Sequence, residues 1–127
     1  MSRPRRRNAV LETLELLRGC ERSVNLTQVI AFLYICENEG LSISELALML
    51  KTSRATASRV ARSLTEPGYG LTLPPSWGLV EVFADEDPGS PSKGLHLTQA
   101  GRDLRSRIGD IIREAQPIEA PRVRDIA

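Results

Sequence analysis

Residues 42–64 read Ser42-Ile43-Ser44-Glu45-Leu46-Ala47-Leu48-Met49-Leu50-Lys51-Thr52-Ser53-Arg54-Ala55-Thr56-Ala57-Ser58-Arg59-Val60-Ala61-Arg62-Ser63-Leu64, and two helix starts stand inside them. Ser42 followed three residues later by Glu45 is a capping box, in which hydroxyl and carboxylate each satisfy an amide that the first turn leaves open. Ile43, Leu46, Ala47 and Leu50 then keep the spacing of one helical face. Ser53 caps a second helix, where Ala57, Val60, Ala61 and Leu64 again share a face. Two short amphipathic helices joined through Lys51 and Thr52 predict a helix-turn-helix.

The second of these helices has an unusual outer side. From Lys51 to Ser63 the chain contains no acid. At 100° per residue, Arg59, Arg62, Ser58 and Ala55 lie opposite the Val60 and Leu64 side, with Arg54 at the N-terminal flank. One face packs and the other is free and cationic. Such a helix fits the major groove of DNA, where arginine pairs with guanine and the hydroxyls of Ser53, Thr56 and Ser58 approach phosphates. The helix N-terminus itself attracts an anion, and Lys51 adds a cation in the turn. A merely solvated basic face would look the same in isolation; its surroundings separate the two readings.

Upstream, Asn8 can cap a first helix in which Val10, Leu11, Leu14 and Leu17 form an apolar stripe ending before Gly19. Asn25 and Gln28 form another capping box, and the run from Leu26 to Asn38 is apolar on nearly every side before Gly40. That helix should be the buried centre. Downstream, Leu79 to Phe83 and Leu95 to Leu97 favour strands, and Asp87-Pro88-Gly89-Ser90-Pro91 between them marks a loop. Thr98 caps a last helix striped by Leu104, Ile108, Ile111, Ile112 and Ala115, and Pro117 should stop it. The expected fold is α+β: a mostly helical winged helix-turn-helix with a two-stranded β wing. It occupies residues 9–116, between a basic arm over 1–8 and a tail over 117–127. A second helix after a tight turn, basic on its outer side, is how helix-turn-helix proteins read DNA.

The order of four pieces carries a resemblance: Ser44-Glu45-Leu46-Ala47, Ser53-Arg54-Ala55-Thr56-Ala57-Ser58-Arg59, Gly78-Leu79-Val80 entering the wing, and Leu97-Thr98-Gln99-Ala100-Gly101 opening the last helix. In that order they resemble the MarR-type winged helix regulators of bacteria, over residues 26–112. The resemblance implies a homodimer built from the N- and C-terminal helices and a recognition helix in each major groove of a pseudo-palindromic site. It also implies a wing that touches the backbone or minor groove.

Two departures matter. Thr65 to Trp77 is longer than the turn such proteins usually make into the wing; Pro67, Gly68, Gly70, Pro74 and Pro75 forbid a continuing helix. Tyr69, Leu71, Leu73 and Trp77 give this loop enough apolar surface to pack down; the alternative is contact with a partner protein or the lining of a pocket. The wing carries Glu81, Asp85, Glu86 and Asp87 against the single Lys93. Those acids repel phosphate unless they project away, so backbone affinity would come from Arg3, Arg5, Arg6 and Arg7 as a basic arm. A solubilising tail would have the same composition.

Composition sets the outer bounds. A chain of 127 residues, 41% hydrophobic and 26% charged, is one soluble domain, and no apolar run approaches the roughly 20 residues of a membrane span. The arginines at the start are not followed by the apolar stretch of a secretory signal, so a cytoplasmic, nucleoid-associated protein is expected. Cys20 and Cys36 lack the spacing of a zinc or redox pair and read as buried thiols. The single His96 lies in a strand with no nucleophile nearby, and the wing acids lack the order of a calcium loop. No catalytic residue, metal or organic cofactor is expected, and no small-molecule effector can be named. These features together predict a sequence-specific double-stranded DNA-binding transcriptional regulator, acting as a repressor. A winged helix serving as a protein interaction module in a larger assembly is the alternative.

Overall fold

The computed structural model describes residues 8–66, 73–83 and 94–118. Five helices and two strands follow one another as α1 (Ala9–Cys20), α2 (Leu26–Glu37), α3 (Ile43–Leu50), α4 (Arg54–Ser63), β1 (Val80–Phe83), β2 (Gly94–Leu97) and α5 (Gln99–Arg113). This is the expected α+β winged helix-turn-helix.

Helix α2 is the centre because it is apolar nearly all round. Ala31, Phe32 and Ile35 are fully enclosed, and α3, α4, α5 and β2 all pack against it. Asn25 and Gln28 form the expected capping box at its start. The Gln28 amide then does a second job: its Nε2 donates to Ser63 Oγ at 3.1 Å inside the core, and Ser63 Oγ donates to the Val60 carbonyl at 2.6 Å. A buried amide without such a partner would cost about 1–3 kcal/mol, so this bond fixes how α4 sits on α2.

The strands pair antiparallel, Val80 opposite Leu97, Glu81 opposite His96, Val82 opposite Leu95 and Phe83 opposite Gly94. Val80, Leu95 and Leu97 point into the core. Strand β2 is bonded on its other edge as well: the Gly40 amide donates to the Leu95 carbonyl at 2.7 Å, and the Leu95 amide to the Leu41 carbonyl at 2.9 Å. The base of the wing is thereby tied to the link between α2 and α3. Gly94 is required there, with φ at +94° and the Leu41 carbonyl oxygen 2.7 Å from where a Cβ would stand.

Thr98 joins wing to last helix. Its Oγ1 accepts from the Gly101 amide at 3.1 Å as the N-cap of α5 and donates to the Gly78 carbonyl at 2.7 Å. The Thr98 amide donates to the Leu79 carbonyl at 3.0 Å. Leu104 and Ile108 continue into the core, Ile111 is half-buried, and Ile112 and Ala115 stay exposed. The helix ends at Arg113, with Glu114 as its C-cap, before Pro117 is reached.

The stripe of Val10, Leu11, Leu14 and Leu17 is divided: Leu17 is buried beside Thr13, while Val10, Leu11 and Leu14 are 57%, 46% and 43% exposed. Helix α1 lies along α5, where the Asn8 side chain, already the N-cap, donates to the Gln116 carbonyl at 2.8 Å. That docking turns the buried face by about one residue's 100°. Asn8 is the N-cap expected of it. Cys20 is exposed, not buried, because it is the last residue of α1, beyond the docked turns, whereas Cys36 on α2 is half-buried.

The segment after α4 packs where it is described. Leu73 and Trp77 donate their amides to the Arg62 and Ser63 carbonyls, each at 3.1 Å, and Gly78 donates to Thr65 at 3.1 Å. Leu79 and Val80 both donate to the Leu64 carbonyl, at 2.8 and 3.1 Å. The Trp77 ring lies 6.0 Å from that of Phe32. Pro67, Gly68, Tyr69, Gly70 and Leu71 lie outside the described residues.

Candidate nucleic-acid interface

The turn between α3 and α4 is set by its backbone. Ser42 and Glu45 form the capping box that starts α3, and Lys51 ends it in the left-handed conformation, φ 55° and ψ 48°. The Thr52 amide reaches back five residues to the Ala47 carbonyl at 3.0 Å, which closes the helix and reverses the chain within two residues. Lysine here accepts a conformation that glycine would adopt without strain, and its side chain is exposed beside the start of α4.

Ser53 then caps α4. Its Oγ accepts from the Thr56 amide at 3.1 Å and donates to Thr56 Oγ1 at 3.0 Å. The Ser53 hydroxyl is thus engaged at both ends, so its part in any anion site is to hold the helix terminus rather than to donate outward. Ala57 and Ala61 are fully buried, and these small side chains bring α4 close to α2 and α3. On the opposite side Arg54, Ala55, Thr56 and Arg59 are exposed, and Ser58 and Arg62 are half-buried. Arg62 Nε donates to the Ser58 carbonyl at 3.4 Å, which draws that guanidinium along its own helix. Arg54 and Arg59 form no ion pair or hydrogen bond among the described residues.

The structure therefore brings Lys51, Ser53, Arg54, Thr56 and Arg59 to one side of one turn and helix, with Ser58 and Arg62 at its margin. Arg3, Arg5, Arg6 and Arg7, as well as Lys93 and the acids Asp85, Glu86 and Asp87, lie outside the described residues. Glu81 is described: it is exposed in β1, opposite His96.

Sequence reasoning missed the junction around Glu39. Its carboxylate lies 3.7 Å from His96 Nδ1 on β2, 3.6 Å from an Arg105 nitrogen and 4.0 Å from Arg102 Nε on α5. Arg105 also donates to the Cys36 carbonyl at 3.2 Å, and Phe83 meets His96 edge-on at 5.3 Å. Glu39 thus links the end of α2 to both the wing and the last helix. With both arginines nearly half exposed, water screens these pairs, and they orient more than they stabilise. No local motif could have announced them, because the partners lie more than fifty residues apart in the chain.

Burial pushes the Cys36 thiol up to about 12, against a lowering influence from Arg105. It stays protonated at neutral pH, the opposite of what a reactive thiol needs. Among the described residues no group of His, Cys, Asp and Glu side chains could hold a metal ion, and no helix is long and apolar enough to cross a membrane. An open groove of about 500 Å³ runs between α1 and α5, lined by Glu12, Glu15, Leu16, Arg107, Asp110 and Ile111. It is too shallow and polar to enclose an apolar ligand.

No curated protein and no solved structure matches the chain. The model of the MarR family matches residues 23–69, which run from the approach to α2 through the whole helix-turn-helix. That stretch holds α2, α3 and α4, so this part of the chain is similar to the MarR family, and the antiparallel strand pair that follows completes a winged helix-turn-helix.

Proposed function

We propose that this protein binds double-stranded DNA in a sequence-specific manner and regulates transcription, acting as a repressor. The carrying observation is the outward face of α4, where Arg54 and Arg59 stand exposed without partners among the described residues, on an acid-free helix behind a tight turn. Guanidinium groups held this way are available for phosphate oxygens and for the O6 and N7 acceptors of guanine. Lys51 and the Ser53-capped terminus add positive potential at the same end. The basic arm of Arg3, Arg5, Arg6 and Arg7 and the wing residue Lys93 supply further phosphate contacts in this reading.

A homodimer through the terminal helices belongs to the same proposal. Val10, Leu11 and Leu14 on α1 and Ile112 on α5 remain exposed after folding, and α1 lies along α5, so these side chains are available to an interface between two copies. Two-fold symmetry would set two α4 helices against successive major grooves.

A competing reading as a protein interaction module draws support from Leu48, 80% exposed on α3, and from Phe83 at the wing edge. Fluorescence anisotropy with a duplex pool at several salt concentrations separates the two. A DNA binder loses affinity steeply as salt rises and prefers a selected sequence over random duplex; a protein with neither property is not a DNA-binding regulator.

A further inference from the structure

Between Arg54 and Arg59 of α4, neither of them paired among the described residues, stands a residue with no hydrogen-bonding side chain at all. Ala55 is exposed in the first turn, follows Arg54 directly, and is one helical turn before Arg59 on the same ridge. Residues at the start of a recognition helix come nearest to base edges. A side chain this short lets the helix approach closely, and what it presents on contact is a methyl group. Among the four base pairs, only thymine shows an apolar group in the major groove, its C5-methyl. Pressing the alanine methyl against an amino or carbonyl group would instead strip water from it without replacing its hydrogen bond. The Ser53 hydroxyl does not change this, since its Oγ is committed to the Thr56 amide and to Thr56 Oγ1.

We infer that Ala55 is a specificity-determining residue that selects thymine through its C5-methyl, and that Arg59 selects a guanine about two base pairs away in the same half-site. The spacing follows from the helix. Four residues along α4 span about 6 Å, and stacked base pairs rise by about 3.4 Å, so the two contacts are separated by about two steps when the helix follows the groove. This inference rests on α4 being the element that enters the groove.

The test starts from duplexes selected in vitro against the full chain. Each thymine of the selected duplex is replaced in turn by uracil, which removes the methyl and keeps base pairing. One thymine per half-site should then bind about fourfold more weakly, the worth of one buried methyl group. Ala55→Ser should bind the thymine and uracil duplexes equally, with its helical content checked by circular dichroism. Replacing the guanine two pairs away by 7-deazaguanine should weaken the parent protein but not Arg59→Ala. If no thymine shows a methyl dependence in the parent, the inference is overturned while the DNA-binding reading stands, and this arm needs no variant to fold. If selection enriches no sequence and binding ignores salt, both fall together.

Discussion

Gly101 and Gly109 lie in the same helix, and the same substitution at each should act with opposite sign. At Gly109 nothing stands within 4 Å of a Cβ, so Gly109→Ala only removes the flexibility of glycine and should stabilise by up to about 1 kcal/mol. At Gly101 a Cβ would overlap the Leu79 carbonyl oxygen and press on the Leu97 side chain at 3.2 Å. That oxygen cannot turn away freely, because it accepts from the Thr98 amide at 3.0 Å. Relief requires either moving α5 off the wing base, an overpacking cost of about 1–3 kcal/mol, or giving up a hydrogen bond worth about 1 kcal/mol. Set against a propensity gain of up to about 1 kcal/mol, a middle overpacking cost of about 2 kcal/mol leaves Gly101→Ala less stable by about 1 kcal/mol, or about 4 °C in Tm for a domain of this size. Thermal and urea unfolding by circular dichroism, at one protein concentration for both variants, reads this directly. Two variants that shift Tm in the same direction would refute the close approach of α5 to Leu79.

Further outcomes follow from the same geometry. Arg54→Ala or Arg59→Ala should cost about 1–3 kcal/mol on a selected duplex and relax the preference at one position, measured by anisotropy. Arg62→Ala should weaken all duplexes alike and lower the slope of log affinity against log salt by about one unit. Light scattering should give a dimer mass at tens of micromolar, and Leu14→Glu should give a monomer; a monomeric parent removes the symmetric site. Because the Cys36 thiol rises from 9.0 to about 12 on folding, it contributes stability that is present below pH 9 and lost as pH climbs through the folded value. The fall in Tm between neutral and strongly alkaline pH should therefore be smaller in Cys36→Ala than in the parent, and an equal fall would contradict the burial of that thiol.

What could be read from the sequence was what neighbours in the chain decide among themselves. Ser42 with Glu45 and Asn25 with Gln28 announce their helices because each box closes within four residues, and the structure contains both boxes. The basic side of α4 was equally legible, since its buried partners Ala57 and Ala61 fall on the same short helix. The face of α1 was not: apolar residues surround more than half of that helix, and only docking along α5 decides that Thr13 is buried while Leu11 and Leu14 are exposed. Cys20 was misjudged for the same reason. Thr98 was legible as a cap, but its second bond to Gly78 spans twenty residues, and the Glu39 junction gathers three elements that meet only in the folded chain. The basic groups of the arm and the wing tip remain as composition alone, since they lie outside the described residues.

The bonds that leave the end of α4 give it the mechanics of a rod clamped at one end. Carbonyls of Arg62, Ser63, Leu64 and Thr65 are all taken by residues between Leu73 and Val80, whereas the first turn of the helix has backbone and cap bonds only to its own Ser53, and Ala57 is its first fully buried side chain. From Ser63 back to Arg54 the rod is about 14 Å long, so a tilt of about 5° at the clamp displaces the tip by about 1 Å. Arg62, close to the clamp, would meet the phosphates at a fixed distance. In the proposed DNA-binding reading, Arg54 and Ala55, at the tip, would settle into the groove after contact, placing tolerance to variation in DNA shape at the end of the helix proposed to read the bases.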